Sequence, residues 1–212
     1  MTDVRHEIAR RAARELRDGD IVNLGIGIPT WVADYVPTGV DVFFHTENGL
    51  LGVGPAPSFG EIDPDLVNAG KLPVTETAGS SFFSSADSFA MIRGQHVDVA
   101  FLGALQVDGR GRVANWSVPG QTILGVGGAM DLMVGAKRII VTMTHTDRDG
   151  KPKIVEHCTV PLTAERSADV IITDLATFSV GPHGLTLTEL AAGVDVDEVR
   201  QKTGVGFDSL YR

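Results

Sequence analysis

Apolar residues recur every four positions at the start of the chain, at Val4, Ile8, Ala12 and Leu16, with charged residues between them. That spacing predicts an amphipathic helix over residues 1–16, one stripe of it turned to the body of the protein. After Asp18-Gly19-Asp20 the period shortens, and residues 21–24 and 40–45 read as short buried strands. Between them Pro29 opens a helix carrying Trp31, Val32 and Tyr35, stopped at Val36-Pro37. Residues 97–104 are the clearest buried strand and 139–143 another, and 74–77, 113–116, 170–172, 176–180 and 185–188 read as further strands. Helices are expected from a cap at Ser84 or Ser85 to Gly94, from the Gly125–Gly128 turn to about Gly135, and over 196–202. Strands alternating with helices predict an α/β fold: a mainly parallel sheet with helices on both faces and its ligand site at the carboxyl ends of the strands. No repeat or linker divides residues 1–212, so one domain is expected.

Composition narrows what such a domain could bind. A content of 43% hydrophobic residues in 212 suffices for one substantial core, and 27 acidic against 18 basic residues leave a net charge of −9. That is the wrong sign for a general binder of nucleic acid or an anionic membrane, so a polyanionic ligand must be met by local cations or backbone N–H groups. No run approaches the ~18 apolar residues of a membrane span. The arginine-rich start also carries Asp3, Glu7 and Glu15, against a transit peptide. The single cysteine, Cys158, excludes an internal disulfide and a cysteine metal cluster; it points to a packed thiol in a reducing compartment, the cytoplasm. The six histidines are scattered without zinc-ligand spacing, so no metal site is expected.

Candidate chemistry concentrates in Thr46-Glu47-Asn48-Gly49-Leu50-Leu51-Gly52-Val53-Gly54-Pro55, which places a carboxylate at a strand tip and glycines and a proline directly after it, read as a tight loop. Gly25 and Gly27, 20 residues before Glu47 in the case of Gly27, imitate a dinucleotide fingerprint. Thr30 occupies the third glycine position and Pro29 removes a donor, leaving the milder reading of a turn whose helix start meets a phosphate. Residues 58–71 read as a long loop or lid. Serines 80–88 lack a nucleophile elbow and read as loop and caps. An ionised carboxylate attacks an acyl group without a general base, so acyl transfer at Glu47 needs no Ser-His pair.

Gly25-Ile26-Gly27-Ile28-Pro29, the Glu47 stretch, Asn68-Ala69-Gly70-Lys71, Asp87-Ser88-Phe89-Ala90-Met91-Ile92-Arg93-Gly94, Ala114-Asn115-Trp116 and Gly127-Gly128-Ala129-Met130-Asp131-Leu132 stand in order along the chain. Together they resemble the B subunit, or C-terminal half, of class I 3-oxoacid CoA-transferases, with Thr46 where serine is more usual. The resemblance implies the CoA-transferase-like fold and Glu47 as the covalent nucleophile, passing through a glutamyl-CoA thioester in ping-pong exchange. It implies that Gly127 and Gly128 meet CoA or an oxyanion; beside it, Asn48 and Gly49 are read as shaping the nucleophile's loop, the Gly25 and Gly27 turn and Lys153 as meeting CoA phosphate, and Leu50, Leu51 and Val53 as keeping water out. Coenzyme A is then a substrate, with no resident cofactor. The implied partner is an A subunit, in a heterodimer or A2B2 heterotetramer. Acetoacetate with succinyl-CoA is the first expectation, from Val118-Pro119-Gly120, and 3-oxoadipate the second. A non-catalytic CoA- or phosphate-binding module is the competing class, and retention of Glu47 argues against it.

Overall fold

The computed structural model describes residues 3–117 and 125–211. Helix α1 (Val4–Ala13) leads to β1 (Ile21–Leu24), a 3-10 helix (Ile28–Tyr35), β2 (Phe43–Thr46), β3 (Leu50–Val53) and β4 (Glu76–Phe82). Then come α2 (Ser85–Arg93), β5 (Val99–Gly103), β6 (Gln106–Asp108), β7 (Val113–Ala114), α3 (Ala129–Gly135), β8 (Arg138–Thr142) and β9 (Ile154–Val155). The chain closes with β10 (Val170–Ile172), β11 (Ala176–Gly181), β12 (Gly184–Leu190), α4 (Val196–Lys202) and β13 (Asp208–Ser209).

One sheet runs in the order β13-β12-β11-β10-β8-β5-β1-β2-β3-β4. Its centre, β10-β8-β5-β1-β2, is parallel throughout. Antiparallel hairpins flank it at both sides, β3-β4 beyond β2 and β11-β12 beyond β10. The central strands are covered on both faces, as their unbroken apolar runs require. Val99 and Phe101 turn to α1, packing with Ile8, Ala12 and Val22. Ala100 and Leu102 turn the other way, to Ile92 of α2 and Leu132 and Met133 of α3. Helix α3 comes so near α2 that a Cβ on Gly135 would stand 2.2 Å from the carbonyl oxygen of Ile92. A separate sheet, β7-β6-β9, extends the second core.

Four expectations change. The first helix ends at Ala13, so Leu16 is buried beyond it while Val4 stands half exposed. The element after Pro29 is a 3-10 helix: Pro29, Val32 and Tyr35 recur every three residues, which suits three residues per turn as well as 3.6. Leu50–Val53 is a strand and not a loop. Gly52, at φ +89, takes up a register shift between Leu51 and Val53, the irregularity a glycine inside a strand permits. The expected strand at 74–77 runs instead over Glu76–Phe82 as the sheet's polar edge, taking in Ser80 and Ser81. No helix among the described residues is long and apolar enough to cross a membrane.

Candidate active site

Glu47 follows the last residue of β2 and opens the turn into β3. The Gly49 N–H closes that turn on the Thr46 carbonyl at 3.0 Å. Gly49 has φ +121, and a Cβ there would stand 2.1 Å from the Phe83 carbonyl oxygen, so only glycine lets the chain after β4 pass this close. The hydroxyl of Thr46 donates to Asn48 Oδ1 at 2.7 Å and accepts from the Ala69 N–H at 2.8 Å. Asn48 Nδ2 donates to the Val67 carbonyl at 2.8 Å. The segment expected as a lid is therefore tied to the Glu47 turn at Val67 and Ala69.

Two groups flank the Glu47 carboxylate. On one side Asn23, buried in β1, donates from Nδ2 to Oε2 at 3.2 Å. The same nitrogen lies 3.2 Å from His45 Nδ1 and 3.2 Å from the His45 carbonyl, because parallel pairing sets Asn23 beside His45. Beyond the imidazole, Ser88 Oγ lies 2.9 Å from His45 Nε2. Burial lowers the His45 pKa to about 4, so the ring is neutral at neutral pH. On the other side is Gly128, the residue that caps α3. A Cβ on it would stand 3.4 Å from Glu47 Cγ, from Oε1 and from Phe89 Cε1.

The structure thus brings Asn48, Gly49 and Gly128 to Glu47, with Gly127 (φ +54) just before Gly128. Gly25 and Gly27 lie one strand over, past the end of β1. A Cβ on Gly25 would meet the Phe101 carbonyl oxygen at 3.0 Å, which accounts for that glycine by the close passage of the turn over β5. Lys153 lies just before β9, outside the ten-stranded sheet, with its N–H on the His145 carbonyl and its own carbonyl accepting from Val107. The residue is half-buried, and burial, opposed by Asp174 and Asp147, lowers its pKa to about 8. Leu50 is buried, and Leu51 and Val53 are half-buried, all within β3. Cys158 donates to the Arg112 carbonyl at 3.7 Å and burial first of all raises its pKa to about 11, fitting a packed thiol. Val118-Pro119-Gly120 lies outside the described residues.

Sequence reasoning missed Asn23, His45, Ser88 and Phe89 as neighbours of the carboxylate. A signal existed: Asn23 is the one polar residue of Ile-Val-Asn-Leu, and His45 interrupts Phe-Phe-His-Thr. A polar side chain inside a buried strand needs a partner, and these two partner each other.

A cavity of about 510 Å³ lies among the 3-10 helix, β2, β3 and residues 68–74, lined by Leu24, Ile26, Trp31, Phe44, Val53 and Leu72 among others. Thr46 reaches it and Glu47 does not.

A carboxylate held at a parallel-sheet edge against a glycine turn defines a class, and residues 5–202 match the model of the coenzyme A transferase family. The chain belongs to that family. It is 50% identical over 207 residues to the B subunit of the probable succinyl-CoA:3-ketoacid coenzyme A transferase of Bacillus subtilis, covering 98% of this chain and 96% of that one. It is 49% identical over 206 residues to the beta subunit of the acetate CoA-transferase of Escherichia coli K12, covering 97% and 94%. Among solved structures it resembles an acyl-CoA transferase of Escherichia coli O157:H7 with a TM-score of 0.78 and 26% identity, covering 98% of this chain and 42% of that longer one.

Proposed function

We propose that this chain is the B-type subunit of a transferase that moves CoA from succinyl-CoA to a 3-oxoacid, acetoacetate first, with Glu47 as the covalent nucleophile. The observation that carries this reading is the Glu47 carboxylate held between the Asn23 amide and Gly128 at the carboxyl edge of the sheet. Oε1, the oxygen facing Gly128, attacks the succinyl thioester carbonyl; the C–S bond breaks and CoA leaves as thiolate, giving a mixed anhydride. The thiolate then adds to Glu47 Cδ, the bond from Cδ to the bridging oxygen breaks, and succinate leaves with that oxygen. Glu47 is now a thioester of CoA. The acetoacetate carboxylate attacks Cδ and releases the thiolate, which attacks the acetoacetyl carbonyl of the new anhydride and returns Glu47 to a carboxylate. No oxidant, metal or resident cofactor enters these steps, and CoA is a substrate.

Each addition at Cδ places negative charge on Oε2, where Asn23 already donates a hydrogen bond. The Gly127-Gly128 turn is the second donor set in this reading, and Gly25 and Gly27 are the CoA-facing turn on the neighbouring strand. Lys153, cationic below pH about 8, is the side chain this reading assigns to a CoA phosphate. Both covalent intermediates are hydrolysable, and Phe89 with Leu50 supplies apolar cover beside them. The relatives named as B and beta subunits, and a solved chain more than twice as long, support an A-type partner completing the site, and the assembly in this reading is a heterodimer or an A2B2 heterotetramer.

The test is intact-protein mass spectrometry of the assembled enzyme after succinyl-CoA and then borohydride. Reduction of a glutamyl thioester to an alcohol at Glu47 is expected, and none in Glu47→Gln. Turnover by Glu47→Gln would refute the nucleophile. Rates with acetoacetate, 3-oxoadipate and acetate rank the acceptor acids, and a preference for acetate would overturn the choice of acetoacetate.

A further inference from the structure

The Asn23 amide nitrogen carries two hydrogens and faces three acceptors: the Glu47 carboxylate, the His45 carbonyl and His45 Nδ1. Two of those are acceptors in any protonation state near neutrality, which fixes the amide with its NH2 toward Glu47. The third is an acceptor in only one tautomer of the ring. A neutral imidazole with its hydrogen on Nδ1 would set N–H against N–H2 and turn the amide away, while hydrogen on Nε2 leaves a lone pair for Asn23. In that tautomer the Nε2–H has to be accepted elsewhere, and Ser88 Oγ stands 2.9 Å away. Ser88 and His45 are both buried, so no water substitutes for the hydroxyl without rearrangement. The Phe83 ring runs nearly parallel to the imidazole, 14° between planes and 6.1 Å between centroids.

We propose that Ser88 and His45 are positioning residues for the transfer reaction: Ser88 accepts from His45 Nε2–H, the ring turns its Nδ1 lone pair to Asn23, and Asn23 keeps its amide N–H on Glu47 Oε2. Neither residue touches a reacting atom. Their effect reaches the chemistry through Asn23, at the oxygen that gathers charge each time Cδ becomes tetrahedral. This assignment rests on Glu47 being the nucleophile. Helix α2 thereby has two tasks at once, since Ser88 sets the amide side of the carboxylate and the next residue, Phe89, packs at its Gly128 side.

The experiment is a double-mutant cycle in the enzyme assembled with its A-type partner, reading single-turnover formation of the glutamyl thioester, kcat, and KM for succinyl-CoA. Ser88→Ala and His45→Gln, which loses the acceptor at the Nδ1 position, are each expected to slow thioester formation roughly tenfold with KM unchanged. His45→Asn places an amide oxygen where Nδ1 stood and is expected to keep a larger share of the rate than His45→Gln. In an Asn23→Ala background Ser88→Ala is expected to add nothing further, because its only route to Glu47 is gone. A tenfold loss that persists in that background, or a rise in KM in place of a fall in kcat, overturns the assignment, as does full activity in Ser88→Ala. Ser88→Cys, close in size to the native residue, provides the same comparison with less disturbance of packing. The nucleophile is judged separately: an active Glu47→Gln sinks the underlying reading, whereas an inactive Glu47→Gln beside a fully active Ser88→Ala sinks this assignment alone.

Discussion

Acid should weaken this fold through His145, at a point of the sheet edge remote from Glu47. The ring is fully buried, with Nδ1 2.9 Å from Thr173 Oγ1 and Nε2 2.9 Å from Thr203 Oγ1. Burial is the largest cause that lowers its pKa to about 4 from an ordinary 6.5; Asp174 and Glu198 pull it up, and Lys202 and Lys153 push it down. Between those two values the unfolded chain binds a proton that the folded chain refuses, so stability falls as pH falls from 6.5 toward 4. Lowering the pH from 7 to 5 removes about 2 kcal/mol through this one group, approaching about 3 kcal/mol at the acid end of the window. Against a typical total of roughly 5–15 kcal/mol, that is a visible share. The assay is urea unfolding of the wild type and His145→Gln at one protein concentration across pH 7 to 4.5. Other titrating groups cancel in the difference between the two proteins. The wild type's advantage over the variant is expected to shrink by about 2 kcal/mol from pH 7 to 5. A difference that stays constant with pH would show that the imidazole is not held neutral, and the reasoning from its burial would fail.

Three further outcomes test the site. Gly49→Ala has to place a Cβ against the Phe83 carbonyl at positive φ, and a loss on the order of 3 kcal/mol or more in unfolding free energy is expected. Gly128→Ala meets no backbone strain at φ −80, so thermal stability is expected to hold while kcat falls roughly a hundredfold, because the methyl group fills the space a tetrahedral Glu47 Cδ needs. Thr46→Ser is expected to keep full activity, whereas Thr46→Val, which removes a donor to Asn48 and an acceptor for Ala69, is expected to cost about 1–2 kcal/mol in denaturant melts.

Local patterns revealed the α/β order, the position of Glu47 at a strand tip and the turn that delivers Gly128, since each rests on contiguous residues. What stayed hidden depends on pairing between distant segments. Asn23 and His45 become neighbours only because β1 and β2 align in parallel register, and no spacing in the chain encodes that register. Ser88 was visible as a helix-capping type, yet it points back to the sheet while Ser84 does the capping, accepting from the Asp87 N–H. The glycines in Leu-Leu-Gly-Val-Gly looked like a loop because glycine usually breaks strands. Here Gly52 kinks one, and a Cβ there would press on Ser80 of the adjoining strand at 3.0 Å. The 3-10 helix escaped because spacings of three and 3.6 cannot be told apart over two turns.

The turn carrying Glu47 joins two paired strands, and the chain leaving a third, β4, passes behind Gly49. In the proposed ping-pong reaction the same carboxyl group passes through an anhydride, holds CoA as a thioester while succinate and the incoming acid exchange around it, and passes through a second anhydride before it is freed. A side chain on a floppy segment would have to be recaptured in its reactive pose before each half-reaction, losing orientational entropy twice per turnover. Anchored in the sheet, Glu47 meets that cost during folding, once for the lifetime of the molecule.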